Sequence, residues 1–157
     1  MTQSEKIAKY EEIVSQIQAL VSGVKYGISS LANFVAAVHR NMNFFWTGFY
    51  VVDGDKLLLG PFQGDPACLS VPKGKGVCGT AWVKEQTIVV EDVNKFPGHI
   101  ACSSLSKSEI VVPVFSKSGK ITAVLDIDSD SFATFDSTDK MYLEKAVSYL
   151  QEYESFL

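Results

Sequence analysis

Three cysteines are the residues of this sequence best suited to covalent chemistry, and they lie among glycines, prolines and serines. Cys102 follows His99 by three residues and precedes a run of serines, and hydroxyls, backbone N–H groups and an imidazole can stabilise a thiolate. A sulfenic acid on one thiol could be captured by Cys68 or Cys78 as a disulfide. This pattern favours thiol-dependent redox chemistry over acyl transfer, for which no oxyanion hole is evident. Inert packing of the thiols and a binding domain without catalysis stay open.

Carboxylates accompany the cysteines on predicted strands. Glu109 lies where the serine-rich loop meets an apolar strand, and Asp126 and Asp128 share one face of another strand. Two neighbouring carboxylates repel each other and favour a proton or a cation, although a solvated sheet face is the competing interpretation. Trp46 and Tyr50 also share a face of their strand. Aromatic walls with carboxylates would suit a small apolar molecule that carries an ammonium group.

Two further motifs are rejected. The segment GKGVCG matches a dinucleotide-binding fingerprint, but it follows SVPK rather than a buried strand within a parallel βαβ unit. It predicts a glycine-hinged loop at a helix start, where the helix N-terminus could favour the thiolate of Cys78. A zinc site built from Cys68, Cys78, His99 and Cys102 is disfavoured, because structural zinc sites usually take ligands from closely spaced cysteine pairs. We therefore expect no metal site.

Composition limits the classes of protein that the chain can belong to. With 157 residues, 46% hydrophobic and 20% charged, it is typical of one globular domain, which we place at residues 1–157. The net charge of −4 argues against binding to nucleic acid. No apolar run approaches the roughly 18 residues of a membrane-spanning helix, and the N-terminal residues lack a signal-peptide pattern. These patterns favour a cytoplasmic location, and the odd number of cysteines argues against a structural disulfide framework.

Helical periodicity appears at both ends of the chain. Apolar residues spaced by three and four from Ile7 to Val24 predict a helix whose stripe could cover a sheet or pair with a second subunit. A second, short helix is predicted from Leu31 to His39, and another from Gly79 to Lys84. Asp136 is the expected N-cap of the last helix. We predict that the helices gather on one face of the sheet.

Strand-like segments predict a mainly antiparallel sheet of about six strands, and so an α+β fold. The segment from Phe44 to Val52 is expected to form a hairpin with the strand that starts near Leu57. The segments EIVVPVFS and KITAVLDIDS form a second predicted hairpin, in which Pro113 indicates a bulge or an edge. TIVVED adds a short strand, and the chain from Gly60 to Gly79 is predicted to be a long loop.

Several segments together resemble one family. GKGVCGTA, VEDVNKFPGHIACSS, SEIVVPV and VLDIDS are similar to the free methionine-(R)-sulfoxide reductases, which are small single GAF domains. WTGFY falls in the same order, and the resemblance covers about Asn43 to Tyr142. The cysteines also keep the family's spacing, ten residues from Cys68 to Cys78 and twenty-four more to Cys102. The resemblance implies a GAF fold and reduction of the R epimer of free methionine sulfoxide.

The resemblance also implies a redox cycle. Cys102 would attack the sulfoxide sulfur and become a sulfenic acid, and a second thiol would then form a disulfide that thioredoxin reduces with electrons from NADPH. Cys68 is favoured as the resolving thiol because it lies in a proline-flanked stretch that can move, and Cys78 is the alternative. No bound cofactor is expected.

The same resemblance implies roles for the remaining residues. Trp46 would hold the S-methyl group and Tyr50 would shape the pocket. Glu109, Asp126 and Asp128 would supply carboxyl groups, one of them protonated for the sulfoxide oxygen and the others paired with the substrate ammonium. The helical stripe makes a homodimer plausible.

The main alternative is a sensor domain of the cyclic-nucleotide type, without catalysis. The residues Asn94 to Phe96 are similar to the opening of a nucleotide-binding GAF signature, but the acidic pair expected after it is missing.

Overall fold

A computed structural model describes residues 1–157 and contains one six-stranded antiparallel sheet with the order β3-β2-β1-β6-β5-β4. The strands are β1 (Trp46–Asp53), β2 (Lys56–Gln63), β3 (Ser70–Pro72), β4 (Ile88–Val90), β5 (Ser108–Phe115) and β6 (Ile121–Ser129). The helices are α1 (Gln3–Val21), α2 (Gly27–Met42), α3 (Gly76–Lys84) and α4 (Ser137–Ser148), and a 3₁₀ turn covers Val93–Lys95. The predicted α+β class and the six antiparallel strands are confirmed.

Three helices cover one face of the sheet. The apolar stripe of α1 is buried from Tyr10 to Val21, against α2, α4 and the core that they share. The alternate residues Phe49 and Val51 of β1 point into the same core, and the rings of Phe34 and Phe49 meet edge to face at 5.1 Å. The stripe that suggested a second subunit is therefore used within a single chain.

The fourth helix, α3, lies on the opposite face, so the prediction that all helices gather on one face is wrong. Val77, Cys78, Ala81 and Trp82 of α3 pack with the other set of alternate strand residues in a second buried cluster. Almost every residue of this helix is apolar or small, so its sequence carried no stripe that would indicate which face it covers. The two faces of the sheet thus have separate hydrophobic clusters.

Three predicted boundaries need correction. The second helix runs from Gly27 to Met42, longer than the predicted segment from Leu31 to His39, and α3 begins at Gly76 rather than Gly79. The predicted long loop from Gly60 to Gly79 is shorter, because β2 continues to Gln63 and the three residues of β3 pair with it. Short runs that contain glycine and proline resemble loops in sequence, and cross-strand pairing decides their conformation.

Two predictions for the second half of the chain are confirmed, the irregularity at Pro113 and the N-cap at Asp136. Pro113 lies in β5 beyond the last residue that β4 pairs, and a register shift follows between Val114 and Phe115. Its missing N–H therefore costs no bond to β4. Asp136 caps α4, and its side chain accepts hydrogen bonds from the backbone N–H groups of Thr138 and Asp139 at 2.8 and 3.2 Å.

A buried polar contact joins the two terminal helices. The carboxylate of Asp139 is fully buried, accepts a hydrogen bond from the Tyr10 hydroxyl at 2.6 Å, and forms an ion pair with Lys6. A lone buried carboxylate would be costly, and these partners compensate for its desolvation. This contact fixes α1 against α4 on the face away from α3. No helix of the chain is both long and apolar enough to cross a membrane.

Candidate active site

The register of three adjacent strands brings the predicted polar residues together. Asp128 of β6 lies opposite Trp46 of β1 on one side and Glu109 of β5 on the other. Asp126, two residues earlier on the same face, lies opposite Gly48. Residues directly opposite in a sheet have Cβ atoms about 5 Å apart, so the three carboxyl groups share one small area. This area is the floor of a cavity beside α3.

The indole of Trp46 is held tightly on that floor. A Cβ atom on Gly48 would lie 2.4 Å from the ring, and one on Gly64 would lie 2.5 Å from it, so only glycine fits at either position. Phe62 stacks on the indole with ring centroids 5.3 Å apart, and the ring of Tyr50 lies 6.2 Å away. Trp46 and Tyr50 are both buried and line the cavity.

Two loops form the roof of the cavity, and a disulfide joins them. One loop connects β2 to β3 and carries Cys68, and the other runs from residue 96 to 107 and carries Cys102. The Cys68–Cys102 bond closes the two loops at a Cα–Cα distance of 5.4 Å. The cavity beneath these loops has a volume of about 60 Å³. A thiol pair, aromatic rings and buried carboxyl groups therefore face one small space.

The chain resembles known proteins over nearly its whole length. The GAF domain family model matches residues 28–151. The chain is 51% identical to the GAF domain-containing protein A of Dictyostelium discoideum, over 96% of this chain and 95% of that protein. It is 42% identical to the free methionine-R-sulfoxide reductase of Escherichia coli, over 91% of this chain and 87% of that protein.

A solved structure agrees with these relatives. The crystal structure of the Neisseria meningitidis free methionine-R-sulfoxide reductase in complex with its substrate superposes with a TM-score of 0.91. It shares 48% identity and covers 96% of this chain and 91% of the other. This chain belongs to the free methionine-R-sulfoxide reductase family. The predicted family and its GAF fold are thereby confirmed, and the cavity is that of a reductase domain.

Within this reductase fold, burial sets the protonation of the floor. The pKa values of Glu109, Asp126 and Asp128 are all raised well above the ordinary carboxyl range, first because the groups are buried and second because they repel one another. The interaction between Asp126 and Glu109 raises the pKa of Asp126 and lowers that of Glu109, and Ser106 partly offsets the rise in the pKa of Asp128. The floor therefore holds protons at a pH at which exposed carboxyls are ionised.

Cys78 differs from its predicted behaviour. It lies in the first turn of α3, buried and unpaired, and the same carboxyls surround it. Desolvation, and next the charges of Asp126 and Glu109, raise its pKa well above the ordinary thiol range. The expectation that the helix N-terminus favours its thiolate is therefore wrong, because burial outweighs a dipole that acts only over one turn.

The reductase cavity also contains a possible set of metal ligands, but its chemistry suits protons better. One ligand atom each of Cys78, Glu109 and Asp126 lies within 4.8 Å of the others. Cation binding would require all three to be deprotonated, and burial favours their protonated forms. Of the four zinc ligands considered from the sequence (Cys68, Cys78, His99 and Cys102), Cys68 and Cys102 are joined in a disulfide.

His99 reaches the floor from the Cys102 loop. Its Nε2 atom lies 3.6 Å from a carboxyl oxygen of Glu109, and desolvation lowers the pKa of its imidazole. The sequence indicated an imidazole beside the thiol but did not connect it to Glu109. Gly64 was missed, since a glycine in a loop carries little signal of its own, and Ser106 was considered only among the serines near the Cys102 thiol.

Replacing Asp126 with asparagine should stabilise the protein near neutral pH. The ordinary pKa of an aspartate is about 3.9, so burying the group costs free energy once the pH exceeds that value. The cost is absent below the unfolded pKa and grows as the pH rises toward the raised folded pKa. We expect the variant to melt about 2–4 °C higher near neutral pH, the effect of about 1 kcal/mol in a domain of this size.

The measurement is the melting temperature of wild type and variant between about pH 4.5 and 7.5, the range above the unfolded pKa. Asp130→Asn is the matched control, because Asp130 is exposed next to the same strand. A difference in melting temperature that stays constant across this range would contradict the assignment.

Proposed function

We propose that this chain reduces free L-methionine (R)-sulfoxide to methionine, with Cys102 as the attacking thiol. The observation that carries the proposal is the Cys68–Cys102 disulfide lying across a cavity whose floor is three carboxyl groups, those of Glu109 and Asp126 buried and that of Asp128 partly buried. Such a site combines a reversible thiol pair with proton donors, the two requirements for removing oxygen from sulfur. The family of this chain supports the same conclusion.

In the first step, the thiolate of Cys102 attacks the sulfoxide sulfur while a floor carboxyl donates a proton to the oxygen. The oxygen then passes to Cys102 as a sulfenic acid, the S–O bond of the substrate and the transient S–S bond to Cys102 both break, and methionine leaves as the reduced product. Glu109, Asp126 and Asp128 are the candidate donors, because burial keeps them protonated at a pH at which exposed carboxyls are ionised.

In the second step, Cys68 attacks the sulfenic acid. The S–O bond of Cys102 breaks, a disulfide forms, and the oxygen leaves as water with the proton of Cys68. The observed Cys68–Cys102 pair supports Cys68, rather than Cys78, as the resolving thiol. A dithiol protein, thioredoxin with NADPH as the electron source, would then reduce the disulfide, with no bound cofactor.

The cavity also suggests how a free amino acid is selected. We assign the S-methyl group to the Trp46 indole, with Tyr50 beside it, and the substrate ammonium to those floor carboxyls that are not donating a proton. The main chain of a methionine within a protein has no ammonium group and continues in both directions. A small cavity roofed by two loops offers little room for such a chain.

The sensor alternative fits the cavity less well. A cyclic nucleotide carries a phosphate, and the floor presents three carboxyl groups and a thiol, none of which compensates a negative charge. Two expectations from the sequence have no further support and stay predictions. One is the cytoplasmic location, and the other is the homodimer, for which the stripe of α1 is no longer available as an interface.

The proposed function is tested by a thioredoxin-coupled assay of NADPH oxidation. The substrates are the separate R and S epimers of free methionine sulfoxide and an N-acylated R epimer, which lacks the ammonium group. We expect turnover with the free R epimer alone. No turnover with any of the three would reject the proposed function, and turnover of the N-acylated form would reject the role of the ammonium.

A further inference from the structure

The loop that carries Cys68 has little support from its own backbone. Two hydrogen bonds of the chain involve residues 64–68, which we call the Cys68 loop, and both come from side chains on β1. The indole Nε1–H of Trp46 donates to the carbonyl of Asp65 at 3.0 Å. The hydroxyl of Tyr50 donates to the carbonyl of Cys68 itself at 2.9 Å. The floor of the cavity thus anchors one half of its roof.

Both donors are fixed in position. Tyr50 is 2% exposed on β1, which is paired on both sides by β2 and β6. Burial raises the pKa of its phenol, so the hydroxyl remains a donor at working pH. The indole of Trp46 is confined between Gly48 and the backbone of Gly64 at the start of the loop. These anchors do not depend on the disulfide, so they can hold the loop when both thiols are free.

We propose that Tyr50, assisted by Trp46, positions the Cys68 loop for the resolving step, so that the Cys68 thiol stays within reach of the sulfenic acid on Cys102. This role rests on the proposed function and goes beyond it, because it assigns the two pocket aromatics a second task. This second task is to hold the Cys68 thiol, which reacts with the sulfenic acid on Cys102. Cys68 and Cys102 are 34 residues apart in sequence, so their encounter depends on how well the loop is held.

The test measures how the sulfenic acid is partitioned. Fully reduced protein, freed of reductant, is mixed with free methionine (R)-sulfoxide in the presence of dimedone, which traps sulfenic acids. Mass spectrometry then gives the ratio of dimedone adduct on Cys102 to Cys68–Cys102 disulfide. This ratio compares trapping with closure and does not depend on how fast the sulfenic acid forms. In Tyr50→Phe we expect it to rise about three- to tenfold, the scale of one lost hydrogen bond.

A parallel arm replaces the substrate with hydrogen peroxide, which converts the Cys102 thiol to a sulfenic acid and is itself reduced to water. The expected rise in the ratio is the same. If wild type releases no methionine from the sulfoxide, the proposed function fails, while the peroxide arm still reports on loop positioning. If wild type turns over and the ratio in Tyr50→Phe stays within about twofold of wild type, only the positioning role fails.

Tyr10→Phe is the matched control. It also removes a buried tyrosine hydroxyl with a 2.6 Å hydrogen bond, but on the opposite face of the sheet. A general loosening of the fold would raise the ratio in both variants and would overturn the proposal. If Tyr50→Phe does not fold, Trp46→Phe, which removes the indole N–H, is measured against the same control. A ratio in Trp46→Phe that stays at the wild-type value would then overturn the positioning role.

Discussion

Replacing Cys102 with serine should abolish methionine release from free methionine (R)-sulfoxide, both in the coupled assay and in a single turnover of reduced protein. A serine hydroxyl is far less nucleophilic than a thiolate and cannot accept oxygen to form a sulfenic acid. Cys102 is exposed in its loop and lines the cavity, whereas Cys78 is buried. We therefore expect loss of activity to the rate without enzyme, measured as methionine formed per chain.

The other two cysteines provide matched variants. Cys68→Ser should release about one methionine per chain and then stop under thioredoxin, because the sulfenic acid on Cys102 has lost its resolving thiol. Cys78→Ser should retain turnover, since its raised pKa and its burial make it a poor partner for exchange. If Cys78→Ser stops after one methionine while Cys68→Ser turns over, the assignment of the resolving thiol is wrong. Methionine release by the Cys102→Ser variant would show that Cys102 is not the nucleophile.

The second large effect concerns the floor. Glu109→Gln and Asp128→Asn should each lower kcat by about 10²-fold or more, the usual contribution of a positioned general acid. An amide keeps the shape of the side chain but cannot supply the acidic proton. Because the active form is the protonated carboxyl, the wild-type rate should fall as the pH rises through the raised pKa values. The measurement is kcat against pH for wild type and both variants.

Asp130→Asn serves as the control, because this aspartate follows β6 but is exposed. We expect its kcat to match wild type at every pH. A rate near wild type in Glu109→Gln would remove that residue from the proton-donating group. A loss confined to KM would instead assign it to binding of the ammonium, since uniform binding affects KM alone.

Local sequence pattern was sufficient for the individual strands. The alternation of apolar and acidic residues in β6 placed Asp126 and Asp128 on one face, and the same period placed Trp46 and Tyr50 together. It could not show that Glu109 lies opposite Asp128, because register between β5 and β6 depends on pairing across the sheet rather than on either strand. The cavity exists only once that register is set.

Burial was the other quantity that sequence reasoning could not supply. The segment around Cys78 correctly predicted a helix start, and the local dipole then suggested a low pKa. Only the packing of α3 against the acidic face of the sheet reveals the stronger, opposite effect. The spacing of the cysteines was likewise compatible with either Cys68 or Cys78 as the partner of Cys102, and the fold brings Cys68 there.

The disulfide that joins the two roof loops has a practical consequence for inhibitor discovery. The floor belongs to three paired strands, whereas the roof is two loops that one reducible bond joins. A fragment screen on air-oxidised protein would sample the cavity only with its roof loops joined, at about 60 Å³, room for roughly four to six water molecules. Screens should therefore include the Cys68→Ser protein under reductant, in which the Cys102 loop is no longer tied to the anchored Cys68 loop.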